Sequence, residues 1–95
     1  MVKRRRLPVR VTTLKISPRV AEKIMSRHGI HPEEVRDAVL NVARLTGVHD
    51  DDPARGPRII IDAPIRGRHA LIVLYPMGED PGDWQLGSAY YRNQP

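Results

Sequence analysis

His69-Ala70-Leu71-Ile72-Val73-Leu74-Tyr75 is the stretch that decides the fold. Five apolar residues in a row, closed by Tyr75, leave no polar face, the mark of a central strand covered on both sides. Upstream, Arg58-Ile59-Ile60-Ile61 is a β-branched run that reads as a second strand stopped by Pro64. Arg66-Gly67-Arg68 is the turn between the two. Downstream, Pro76 to Asp83 is a turn-rich loop. Trp84, Leu86, Ser88 and Tyr90 then alternate with Gln85, Gly87, Ala89 and Tyr91 in a last strand. Val48 to Pro57, with Asp50-Asp51-Asp52-Pro53, is polar and reads as a loop.

Two helices precede this meander. Ser17-Pro18 combines an N-cap hydroxyl with a proline at the first helical position. Val20, Ala21, Ile24, Met25 and His28 then share one face, and Gly29 supplies a left-handed stop. His31-Pro32-Glu33-Glu34 starts the second helix with acids at the positive end of its dipole. Val35, Ala38, Val39, Val42 and Leu45 repeat at helical spacing as far as Gly47. Val9, Val11 and Thr13 alternate with Arg10 and Thr12, and the extended character runs on to Ile16, which predicts a first strand. The expected fold is α+β, in the order β-α-α-β-β-β, with the two helices packed on one face of a small antiparallel sheet. Val20, Ile24, Val35, Val39, Ile60, Ile72 and Leu74 are the expected core, and the other sheet face is left to a ligand.

The chain has 95 residues, enough for one domain with one thin core, and pairing with a copy or a partner would add burial. A basic flexible tail over 1–8 and a single domain over 9–95 are expected. The absence of cysteine excludes disulfides, thiolate metal sites and thiol catalysis. No apolar run approaches the roughly 18 residues that span a bilayer, and no signal-peptide core is visible, so a cytoplasmic location away from membranes is expected. The net charge of +5 has a local origin. Lys3, Arg4, Arg5, Arg6 and Arg10 occupy the first ten positions, leaving eleven of the sixteen basic residues to set against eleven acids. Such a tail favours phosphates through counterion release without reading sequence. The alternative is a solvated end that serves solubility.

Catalytic motifs are scarce. His28 and His31 straddle a helix break and Asp50 to Asp52 lie in the expected loop, so no metal is expected, and no cofactor. Ser17 is an N-cap, Ser26 an exposed helix position, and Ser88 lacks a nucleophile elbow. The helical corner resembles a DNA-binding unit, but Glu33, Glu34 and Asp37 would meet phosphates. There remain strand-end arginines, Arg58, Arg66, Arg68 and Arg92, with Tyr90 and Tyr91 leaving the sheet beside the Arg66–Arg68 turn. Arginine forks suit phosphates, and tyrosine offers a stacking face and a proton. RNA cleavage without a metal needs little more than cations and two proton carriers. Ordinary surface charge is the competing explanation.

Three fragments resemble the BrnT toxins, a branch of the RelE-like ribonuclease superfamily. The first is Arg27-His28-Gly29-Ile30 followed by Pro32-Glu33-Glu34-Val35. The second is Arg58-Ile59-Ile60-Ile61, then Gly67-Arg68 leading into Leu71-Ile72-Val73-Leu74-Tyr75. The third is Leu86-Gly87-Ser88-Ala89. The resemblance spans about residues 17–91 and implies an RNA-cleaving, translation-blocking toxin held by a cognate antitoxin protein, as a homodimer or a toxin–antitoxin hetero-oligomer. It carries over His28, Arg58 and Arg68 as catalytic residues. Where the family has an arginine this chain has Tyr90, and other RelE-like toxins use a tyrosine in that strand. Arg66, Arg92, Tyr91 and the tail residues Arg4, Arg5 and Arg6 would then contact the RNA. A non-catalytic module of the same fold is the alternative, binding protein or nucleic acid through the open sheet face; so is a tail-driven nucleic-acid binder.

Overall fold

The apolar run at 69–75 forms β5 of a six-stranded sheet. The structure, a computed structural model, describes residues 5–92. In chain order the elements are β1 (Arg6–Pro8), β2 (Thr13–Lys15), α1 (Pro18–His28), α2 (Pro32–Val39), β3 (Thr46–Asp52), β4 (Gly56–Ile65), β5 (Arg68–Pro76) and β6 (Asp83–Tyr91). The strands lie in the order β1-β3-β4-β5-β6-β2, antiparallel except for the parallel pair β2–β6. The fold is therefore α+β, with two helices and a mostly antiparallel sheet. No helix among the described residues is long and apolar enough to cross a membrane.

Alternation divides the sheet into two faces. Ile61, Ala63 and Ile65 of β4, Ala70, Ile72 and Leu74 of β5, and Leu86, Ala89 and Tyr91 of β6 turn to one side. There they pack with Ile24 of α1, Val35 and Val39 of α2, and Ile30 between the helices. Arg58, Ile60, Asp62, Leu71, Val73, Tyr75, Ser88 and Tyr90 turn to the other. Val73 and Tyr75 are buried there as well, so β5 is covered on both faces over its second half. Ile60, expected in the core, lies on this second face and is half-buried.

The helices begin as their sequences predict. The Ser17 hydroxyl accepts the Val20 N–H at 3.2 Å, and Gly29 ends α1 at φ 66°. At α2 the Glu34 carboxylate accepts the His31 N–H at 3.0 Å. Helix α2 is shorter than its pattern: it stops at Val39, and Asn41 and Arg44 take the left-handed conformation. Leu45 is buried but reaches the core from outside the helix, while Val42 is exposed. Their helical spacing is coincidental.

Three further expectations are corrected. The single first strand is two short ones at opposite edges of the sheet. Residues 9–12 cross between them, held by hydrogen bonds from Val9 to the Leu45 carbonyl and from Asn41 to the Val11 carbonyl, with Val11 buried. The expected loop at 48–57 is mostly strand: β3 runs to Asp52, and a turn at 53–55 leads into β4. Pro64 does not stop β4. The register of β3 on β4 ends at Gly47–Ile61, so Pro64 has no β3 partner and its missing N–H breaks no ladder.

Ile72 is fully buried at the centre of the sheet. Replacing it with Ala should cost about 2–5 kcal/mol, read as a lowered denaturation midpoint at unchanged m-value. An unchanged midpoint would contradict the central position of β5.

Candidate nucleic-acid interface

Most of the arginines singled out in the sequence are engaged within the protein. On the second sheet face, Arg58 donates from Nε to Asp50 Oδ2 at 2.6 Å, and its Nη1 lies 3.5 Å from Asp52 Oδ2. Arg66, in a two-residue turn with Gly67 where both residues have positive φ, donates to Glu34 at 2.6 Å and ties the turn to the start of α2. The bonds from His31 and Arg66 hold the Glu34 carboxyl below the usual range. Arg68 lies on the core side, its guanidinium 3.8 Å above the Tyr91 ring. Tyr91 is a core residue with no ring face left for a base. Arg92 and His69 both reach Asp62, at 3.1 and 3.2 Å. Arg5 and Arg6 are exposed, Arg6 within β1, and Arg4 lies outside the described residues.

Of the four residues assigned to catalysis, only His28 and Tyr90 meet. Their ring centroids are 6.0 Å apart at a 47° tilt. Arg58 stands four residues along β4 from Asp62, which shares a row with Leu71 and Tyr90, a separation of about 13 Å. Arg68 is on the opposite face of the sheet. Among the described residues no group of three or more His, Cys, Asp or Glu side chains forms that would hold a metal ion.

A different cluster of cations is built where α1 runs along β6. Beyond the short β2, the outer edge of β6 is covered by α1, and Lys23 Nζ donates to the Gly87 carbonyl at 3.3 Å. Gly87 is the extra residue of a bulge, since Val73 faces Ser88 but Leu74 faces Leu86. A Cβ at Gly87 would lie 2.4 Å from Tyr75 Cε2, so only glycine lets the Tyr75 ring lie against this strand. The Tyr75 hydroxyl is fixed in turn by donation to Asp52 Oδ2 at 2.7 Å. Arg55, from the β3–β4 turn, lies across that ring with its guanidinium carbon 3.9 Å from the centroid.

The result is a groove of about 770 Å³ between α1 and the sheet, lined by Arg19, Lys23 and Arg27 on one side and Arg55 on the other. The three helix cations sit one turn apart, so they form a line about 12 Å long. Glu22 is the one acid among the described lining residues. Arg19, Arg27 and Arg55 have no carboxylate partner among the described residues. Gln85 and Ser26 add uncharged polar groups. His28 follows Arg27 on α1, and Tyr90 lies three residues beyond Gly87 on β6, but neither ring lines the groove. The Arg19-x3-Lys23-x3-Arg27 spacing is legible in the sequence. The contribution of Arg55 is not, because it depends on a hairpin read as loop.

No protein-family model matches the chain, and comparison with the curated proteins and with the solved structures finds no similar one.

The Asp52 carboxyl is held below its ordinary range, first by the Ala54 N–H and then by the Tyr75 hydroxyl. A folded carboxyl that sheds its proton more easily than the unfolded one stabilises fully above the usual carboxylate range, and that contribution is lost as pH falls through it. The Tm should therefore fall between about pH 7 and about pH 3, and Asp52→Asn should show a shallower fall. Identical slopes in the two proteins would remove Asp52 from the acid response.

Proposed function

We propose that this protein binds RNA, and that the groove between α1 and β6 is where it does so. The observation that carries the reading is the line Arg19, Lys23 and Arg27 facing Arg55 across one concave surface, against Glu22 as the one acid among the described lining residues. Phosphates neutralised by such a line release counterions, so affinity falls steeply with salt. An extended row of cations suits a polymer better than a single small anion. Uncharged donors and acceptors at Ser26 and Gln85 suit a ribose hydroxyl. Arg19 and Arg27 are the informative positions, since among the described residues their side chains make no hydrogen bond or ion pair that holds the fold. Arg19→Ala combined with Arg27→Ala should leave the Tm unchanged and weaken binding of a labelled RNA in fluorescence anisotropy. The salt slope should fall by about 1 for each phosphate that is no longer neutralised. An unaltered slope would place the RNA elsewhere.

A second reading, the metal-independent ribonuclease toxin of a toxin–antitoxin pair with a RelE/BrnT-like fold, is favoured by the approach of His28, the residue after Arg27 on α1, to Tyr90 of β6. An imidazole and a phenol side by side are a proton acceptor and a donor of the kind that 2′-hydroxyl attack on phosphate requires. The pairing of Arg58 with Asp50 and the far-side position of Arg68 leave Arg27 as the nearest groove cation by sequence to supply charge there. The test is expression in a bacterium with total RNA examined for new 5′ ends. New ends with the wild-type chain and none with Tyr90→Phe support the enzyme; intact RNA together with salt-dependent binding in vitro supports the binding module alone.

A further inference from the structure

We infer that Arg55, lying on Tyr75, is a stacking platform for one unpaired nucleobase. This rests on the RNA-binding reading and adds to it a subsite that reads bases instead of phosphates. One face of the guanidinium covers the Tyr75 ring, while Arg55 as a whole is exposed and lines the groove. Its second planar face is therefore turned to whatever occupies the groove. Planar guanidinium groups stack on bases as aromatic rings do, and a base with a free face is offered by a single strand, not by a duplex.

The platform is held more firmly than a surface arginine ordinarily is. Tyr75 is buried, with its ring against Gly87, where no Cβ fits, and its hydroxyl bonded to Asp52. The turn that carries Arg55 is fastened by the Ala54 N–H to Asp52 Oδ1 at 2.9 Å. Both the ring beneath the guanidinium and the backbone behind it are thus anchored to the same carboxylate. The line of α1 cations forms the facing wall, so a backbone laid along Arg19, Lys23 and Arg27 would turn its bases towards Arg55. A preorganised plane loses little freedom on binding, which is the condition under which one stacked base contributes measurably.

Arg55→Lys separates the plane from the charge. Its partner measurement compares a labelled oligoadenylate RNA with an abasic ribose-phosphate strand of equal length, at several salt concentrations. The wild-type protein should prefer the base-bearing strand by on the order of ten-fold, the range expected for one base on one platform. Arg55→Lys, which keeps the charge and loses the plane, should abolish most of that preference, read as the ratio of the two affinities so that any change common to both strands cancels. Tyr75→Phe, which keeps the ring, should retain the preference, and Tyr75→Leu should lose it. Equal wild-type affinity for the two strands, or a full preference in Arg55→Lys, overturns the platform while the groove stands. If neither strand binds in a salt-dependent way, the RNA-binding reading itself fails, and the platform with it.

Discussion

Arg58, bonded to Asp50 across the β3–β4 ladder and drawn towards Asp52, is the contact on which the shape of the second sheet face depends. Three successive aspartates have poor strand propensity and repel one another. With a guanidinium directly opposite Asp50, two of the three turn to the same face and are compensated there, and Asp51 turns to the helix-bearing face at a point where it is exposed. The hydrogen bonds to Tyr75 and Asp50 hold the Arg58 guanidinium above its ordinary range. From that pairing follow the position of Asp52, the anchoring of the Tyr75 hydroxyl, the seat of Arg55 and so one wall of the groove.

The energetic weight lies elsewhere. Partly exposed ion pairs contribute on the order of 0–1 kcal/mol, whereas each fully buried Ile or Leu contributes about 1.5–3 kcal/mol. Ile24, Ile30, Ile61, Ile72, Leu74 and Leu86 are fully buried, and among the described residues no buried side-chain nitrogen or oxygen lacks a partner. The apolar face therefore supplies the stability, and the polar network supplies the register. A slip of one residue in β3 would turn both Asp50 and Asp52 towards the apolar face and leave Arg58 at most Asp51, so the observed register is the one that compensates two carboxylates.

What could be read from the sequence follows from how local each signal is. The caps Ser17 and Gly29, the proline at the start of each helix and the apolar run at 70–74 are local, and each element begins or lies where they indicate. The β3 strand is nonlocal: its polar residues become a strand through pairing with β1 and β4, with Arg58 standing opposite Asp50. The split first strand is likewise set by distant partners, Leu45 and Asn41 for the crossing segment and Gly82 for Thr12. Site residues follow the same rule. Arg58, Arg66 and Arg92 are conspicuous in the sequence, yet each bonds a carboxylate 8 to 32 residues away that only the fold brings opposite it. Arg19, Lys23 and Arg27 are inconspicuous for the opposite reason: cations on the polar side of an amphipathic helix are its ordinary solvated state, and only the facing Arg55 makes them a wall.

The position of α1 reconciles two demands on one element. A sheet edge left bare invites pairing with another chain, and β6 is bare beyond β2. Covering it with a helix solves that problem, but the helix then has only a narrow contact, and Ile24 is its one fully buried residue. Its remaining surface is free to be charged. The acids of the described chain gather on the β3–β4 hairpin, along α2 and in the loop before β6, while α1 has Glu22 alone against Arg19, Lys23 and Arg27. A body whose charges nearly cancel thus presents a positive seam on one side. Lys23 serves both ends, closing the edge through the Gly87 carbonyl and standing in the line of cations. The same placement that covers the unpaired edge of β6 is what sets the cations of α1 opposite Arg55, the arrangement on which the proposed RNA reading rests.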